Sequence, residues 1–218
     1  MVPEILSEES FDDALQLLRR YFGLADGSVR HEGASFETIA SRPDDLEGVN
    51  QITPGDLVAL ATLSVEVKGA AAIALLESDL RLQVAELLAK IPPTLALADP
   101  DAAPMPDESS TASELWRVIR TVPGFGPTRT SKLLARKRPL LIPIYDSVIA
   151  AELGLSSSLN HWHTMRDLVT REDGAFYRRA ARLREEAGLS PSISPLRVID
   201  IILWRHGKDA GRVVEEDS

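Results

Sequence analysis

Apolar side chains recur at intervals of three and four along most of the chain, the period of helices that bury one face. Phe11, Leu15, Leu18 and Phe22 share such a face and predict a helix over 11–22, with Asp12 and Asp13 suiting the positive end of its dipole. Thr53-Pro54 has the form of an N-cap followed by proline at the first helical position, opening a nearly continuous apolar helix over 57–64. Two more follow at about 69–77 and 80–91, the second halted by Pro92-Pro93. Thr111-Ala112-Ser113-Glu114 has capping-box spacing and starts a helix carrying Leu115, Trp116, Val118 and Ile119. Further helices are predicted from Pro127 to about 138, then near 147–153, 158–170, 174–187 and 195–206. Residues 140–144 read as extended, but nothing alternates long enough to make a strand convincing. The expected class is all-α, a multi-helix globule of about ten short helices with a helix-hairpin-helix element.

Two stretches break the periodicity. Glycine, proline and scattered polar residues over 23–51 predict loops with about one helical turn. Five prolines among Asp, Ala and Ser over 92–110 predict an exposed linker or long loop. The expected division is an N-terminal helix and irregular segment over 1–52, a helical domain over 53–208 and an acidic tail over 209–218.

Composition narrows the chemistry. The chain has no cysteine, which excludes a disulfide framework, a thiolate zinc site and a cysteine-held iron–sulfur cluster. The N-terminus lacks a basic region followed by an apolar run, and the richest apolar stretch, 57–76, is broken by Glu66 and Lys68. A cytoplasmic protein without a membrane span is expected. No phosphate-loop, dinucleotide or His-Glu-x-x-His pattern is present, so no cofactor is expected. Net charge is −9, yet residues 1–113 hold 7 Lys/Arg against 20 Asp/Glu while residues 114–208 hold 16 against 9. A phosphate backbone responds to local field, so this distribution predicts a basic face in the second half.

The first motif with chemistry is Pro123-Gly124-Phe125-Gly126-Pro127 between two predicted helices. Glycines at both positions let successive amides converge, and the following helix adds its unsatisfied N–H groups and positive dipole end. Arg129, Lys132 and Arg136 lie three and four apart on that helix and predict one cationic face, extended by Lys137 and Arg138. Such contacts position a duplex without reading its sequence.

With Val122 before it, this hairpin resembles the apolar-Pro-Gly-apolar-Gly element of the helix-hairpin-helix DNA glycosylase superfamily, which includes endonuclease three. The resemblance continues through Ile142-Pro143-Ile144-Tyr145-Asp146-Ser147-Val148, an extended proline-containing segment with an aspartate heading the next helix. Weaker likenesses flank it at 57–66 and 198–208. Together they imply a bacterial branch of the family without the iron–sulfur cluster, binding DNA and hydrolysing the N-glycosidic bond of a flipped base, as in base excision repair. Asp146 would be the catalytic carboxylate, and Gly124, Phe125, Gly126, Thr128, Arg129, Lys132 and Arg136 the DNA contacts. Tyr145 and Glu66 are weaker base-pocket candidates. Thr128 stands where strand-cutting members carry lysine, so a monofunctional glycosylase is implied. Ala151 replaces a common family arginine, and Glu66 lies near a family glutamine.

Other readings stand beside this one. Asp146 also suits an ordinary N-cap, worth about 1 kcal/mol, so the alternatives are a non-catalytic DNA-binding module or a helical protein-interaction protein. His161 and His163, two apart on a helix, diverge too far to share a metal, and no metal is expected. Trp116 and Trp204 fall on apolar faces and are expected in the core, with Asp200 pairing an arginine or lining a cleft.

Overall fold

The computed structural model describes residues 3–40 and 48–211. Most of the expected acidic tail, and part of the irregular segment before residue 52, lie outside the described residues. The fold is all-α: nine α-helices and no strand among the described residues. No helix among the described residues is long and apolar enough to cross a membrane. Instead of the expected 53–208 domain, there are two compact units: one made of Met1–Ala34 with Pro143–Ser218, the other of Ser35–Ile142.

The Ser35–Ile142 unit contains α2 (Pro54–Ala61), α3 (Gly69–Leu76), α4 (Leu80–Ala89), α5 (Thr111–Ile119) and α6 (Pro127–Lys137). Thr53 caps α2 through a full capping box: its hydroxyl accepts from Asp56 N at 3.2 Å, and Asp56 accepts from Thr53 N at 2.9 Å. α5 is capped one residue earlier than its sequence suggests, by Ser110, whose hydroxyl accepts from Ser113 N. α4 packs on α3 and α5, and α6 on α2 and α5. Leu60, Leu88, Leu115, Ile119, Leu133 and Leu134 form the fully buried centre. The proline-rich stretch after α4 is a long loop but not an exposed linker. Its Ala96, Leu97 and Ala102 are buried, and Leu97 N donates to Leu140 O at 2.9 Å. Five prolines remove donors, yet three small apolar side chains suffice to hold the loop on the core.

The other unit contains α1 (Phe11–Phe22), α7 (Ser147–Glu152), α8 (His161–Glu186) and α9 (Pro195–Asp209). α9 is central, packing on α1, α7 and α8, and Val198, Ile201, Ile202 and Leu203 are fully buried along it. Gly207 lets α7 come close: a Cβ there would lie 2.5 Å from Val148 Cγ1 and 3.0 Å from Glu152 Oε1. α8 joins the two helices predicted near 158–170 and 174–187 through a left-handed corner, with positive φ at Glu172, Asp173 and Gly174.

Candidate functional site

The hairpin forms between α5 and α6. Gly124 has φ +80°, a conformation that side chains resist, and Phe125 N donates back to Val122 O at 3.0 Å to close the turn. Val122 and Phe125 are buried beneath it, while Pro123 and Gly124 are exposed. Phe125 is thus an anchor whose ring is in the core and whose amide is spent on the turn. The amides of Gly124 and Gly126 lie outside the hydrogen-bond network of the described residues. Gly126 is the N-cap of α6 and provides no side-chain cap, unlike Thr53, Ser110, Asp146 and Ser194 at α2, α5, α7 and α9. Its φ of −75° suits any residue, and a Cβ built on it meets nothing within 4 Å. Thr128 and Arg129 are half-buried on the first turn, and Arg129 Nη1 folds back to Gly124 O at 2.6 Å.

The rest of the expected cationic face turns inward. Lys132 is buried and donates to Leu63 O at 3.3 Å. Arg136 donates to Ile39 O at 2.8 Å and to Phe36 O, and its Nε lies 3.4 Å from Asp56 Oδ1. Lys137 Nζ sits 2.9 Å from Asp56 Oδ2. Arg138, 1 % exposed, donates to Ile91 O, Val49 O, Lys137 O and Asn50 Oδ1 at 2.6–3.0 Å, and to Leu88 O at 2.5 Å. Two of these carbonyls, Leu88 and Ile91, lie at and just beyond the C-terminal end of α4, and Leu88 O also accepts from Ile91 N at 3.0 Å. Burial lowers its pKa to about 10, which still leaves it charged at neutral pH. Helical spacing correctly put these residues together, but facing carbonyls and Asp56 rather than solvent. As DNA contacts, Lys132 and Arg136 are therefore set aside.

The charge expectation changes with them. Ser35–Ile142 carries 11 Lys/Arg and 14 Asp/Glu, and the other unit carries 13 and 19, so neither is net basic. The positively charged stretch 114–208 is divided between units that each draw acids from elsewhere in the sequence.

Asp146 belongs to the α1–α7–α8–α9 unit. It is half-buried and caps α7, accepting from Val148 N at 3.1 Å. The extended segment before it is fixed by two residues: Asp200 of α9 accepts from Ile144 N at 3.1 Å, and the His161 ring stands edge-on to Tyr145 at 5.4 Å. Asp200 is thus a backbone anchor, a role invisible without knowing which amide faces it. Tyr145 is buried, which removes it as a stacking surface for a base, and Glu66 lies exposed in the turn after α2. His161 is 1 % exposed, and neither ring nitrogen makes a well-formed hydrogen bond beyond a weak contact with the Ile144 backbone. Burial lowers its pKa to about 4, an effect that the Ile144 backbone only partly offsets.

Trp116 and Trp204 are half-buried rather than core residues. In the same unit as Asp146, a groove of about 1010 Å³ is bordered by Glu4, Asp13, Arg20, Glu152, His206 and Asp209. His206 Nδ1 lies 2.9 Å from Glu152 Oε2 on its wall. This largely acidic rim does not suit a phosphate backbone. No group of three or more His, Asp or Glu suited to a metal occurs among the described residues.

Neither a curated protein nor a solved structure matches the chain. One family model does, over residues 14–207, nearly its whole length, so the chain belongs to the family described as a family of unknown function, DUF6308.

Proposed function

We propose that this chain is a DNA-binding helix-hairpin-helix protein that holds a duplex backbone at the Gly124–Gly126 turn and hydrolyses the N-glycosidic bond of a flipped base with Asp146. Gly126 carries the reading. Nothing in the chain's own geometry calls for glycine there, since its torsions suit any residue and a side chain would point into open space. That space fronts the uncapped first turn of α6, where helix amides and dipole favour an anion. A phosphate oxygen approaching the backbone explains the missing side chain.

The proposed chemistry asks little more of Asp146 than a fixed charge. As the base leaves with its bonding electrons, the sugar gains oxocarbenium character, which the carboxylate stabilises. Water adds its oxygen to the anomeric carbon and gives one proton to the carboxylate, which passes it on to the departing base, so one water is consumed and the carboxylate is restored. With Thr128 in place of a lysine, no Schiff base forms and the strand stays uncut. The cap bond to Val148 N holds the carboxylate in place. That same bond favours a second reading, a binding module in which Asp146 serves only α7.

Duplexes bearing uracil, alkylated, oxidised or mismatched bases, followed by alkali, separate the readings. Gly126→Val is expected to weaken duplex binding about tenfold, the value of one charge-assisted contact, without lowering thermal stability. Asp146→Asn keeps an acceptor for Val148 N, so it should fold normally and release no base. Base release that survives Asp146→Asn removes the catalytic assignment, and tight binding without any release selects the module. An absence of duplex binding at low salt removes both.

A further inference from the structure

We infer that the half-buried Trp204, with the imidazole of His31 and the cations of Arg205 and Lys208, forms a second nucleic-acid surface that takes an unpaired strand. It lies within the α1–α7–α8–α9 unit and rests on the reading above only in taking that strand to be DNA.

Three rings meet at this surface. Tyr21, buried at 3 % exposure, stacks on His31 with centroids 4.7 Å apart, and Trp204 stands edge-on to both, at 6.2 Å and 5.1 Å. Arg197 fixes the floor by donating to Tyr21 Oη at 3.0 Å. Gly33 N donates to His31 Nδ1 at 3.0 Å, so a neutral ring carries its proton on Nε2 as a hydrogen-bond donor. Burial, followed by the nearby charges of Arg205 and Arg197, holds the His31 pKa below its ordinary value. Arg205, Arg197 and Lys208 supply positive charge beside the rings, with Glu32 and Asp209 as the acids near them.

The Arg205 guanidinium and Lys208 ammonium each lie 5.9 Å from the Trp204 ring centre. Arg205 is 27 % exposed at its side chain and holds Asp209 at 3.0 Å, while Lys208 is fully at the surface. A partly exposed indole bracketed by two cations, beside an imidazole N–H donor, matches the needs of one nucleotide. The base has a π-face and hydrogen-bonding edges, and its phosphate needs a counter-charge. An acidic peptide would satisfy the cations but make no use of the rings. A duplex keeps its bases stacked inside and offers them nothing.

A Trp116→Phe/Trp162→Phe variant leaves Trp204 as the sole indole. Titrated with a short oligothymidylate at low salt, it should show saturable quenching that weakens as salt rises. Trp204→Leu in the otherwise unchanged chain should weaken strand binding at least fivefold, as loss of one stacking partner does. Lys208→Glu should weaken it and lower the salt slope by about one. Trp204→Phe, which keeps an aromatic face, should retain most of the affinity and guards against a folding artefact. No quenching at low salt, unchanged affinity in Trp204→Leu, or equal displacement by polyglutamate overturns the inference. Gly126→Val should leave the quenching intact, so this surface can fail while the hairpin reading stands, or stand while that reading fails.

Discussion

Arg138 and His161 are both about 1 % exposed, one in each compact unit, yet burial leaves one charged and the other neutral. Arg138 is surrounded by acceptors: carbonyls of Leu88, Ile91, Val49 and Lys137 and the amide oxygen of Asn50. No carboxylate is among them; the five oriented acceptors satisfy the guanidinium's donors, and burial lowers its pKa to about 10, still well above neutral pH. His161, edge-on to Tyr145, has only a weak contact with the Ile144 backbone, and burial lowers its pKa to about 4, so it is neutral at pH 7. Burial pulls both groups down, and the much higher ordinary value of a guanidinium is what leaves Arg138 charged at neutral pH where the imidazole is not.

The largest expected effect comes from removing the donor. Arg138→Met keeps roughly the volume but takes the guanidinium donor from the Ile91 and Val49 carbonyls and the Asn50 amide oxygen, and should cost about 3–5 kcal/mol in denaturant unfolding. Arg138→Lys should recover only a small part, because one ammonium cannot span acceptors laid out for a planar fork. A full recovery would show that charge, rather than geometry, is what the pocket requires.

Asp56→Asn should cost less, about 1–3 kcal/mol, because Arg136 and Lys137 keep backbone carbonyls as partners after the carboxylate is neutralised. Urea unfolding of the variant measures this, and a cost equal to that of Arg138→Met would break the distinction between carbonyl-held and carboxylate-held cations.

The smallest effect at neutral pH belongs to His161→Phe, since the native ring is already uncharged. Its signature lies in acid. A folded pKa near 4 set against an unfolded value near 6.5 means that the unfolded chain takes up the proton first. Stability is full above about pH 6.5, falls as pH drops towards 4 and then ceases to fall on this account. His161→Phe should flatten that limb of a Tm-against-pH curve. An unchanged limb would assign the acid loss to other groups.

Much of the helical framework was legible because its punctuation is local. Thr53-Pro54, Pro127, Asp146 and Ser194-Pro195 each mark a start within a few residues of sequence, and the all-α class follows from the 3.6-residue period. The hairpin was legible for the same reason. What was not legible depends on partners far along the chain. Lys132, Arg136 and Lys137 have the spacing of a solvent-facing stripe, but Leu63 O takes Lys132, and Phe36, Ile39 and Gly48, from the stretch with the least periodicity, turn Arg136 and Lys137 inward. An irregular segment gives no sign in sequence of where its carbonyls will point. Charge summed along consecutive residues misleads similarly, because each compact unit is assembled from separated pieces of chain or neutralised from within.

The corner in α8 has a practical consequence. Glu172, Asp173 and Gly174 adopt left-handed torsions in succession, and the two with side chains hold them at roughly 1–2 kcal/mol apiece. Arg171, Glu172 and Asp173 are also exposed, so the joint is reachable from solvent. It is the natural place to open this unit by design: a reporter peptide spliced between residues 172 and 173 would relieve strained backbone instead of breaking a regular helix, and leave the rods on either side to fold as they do now.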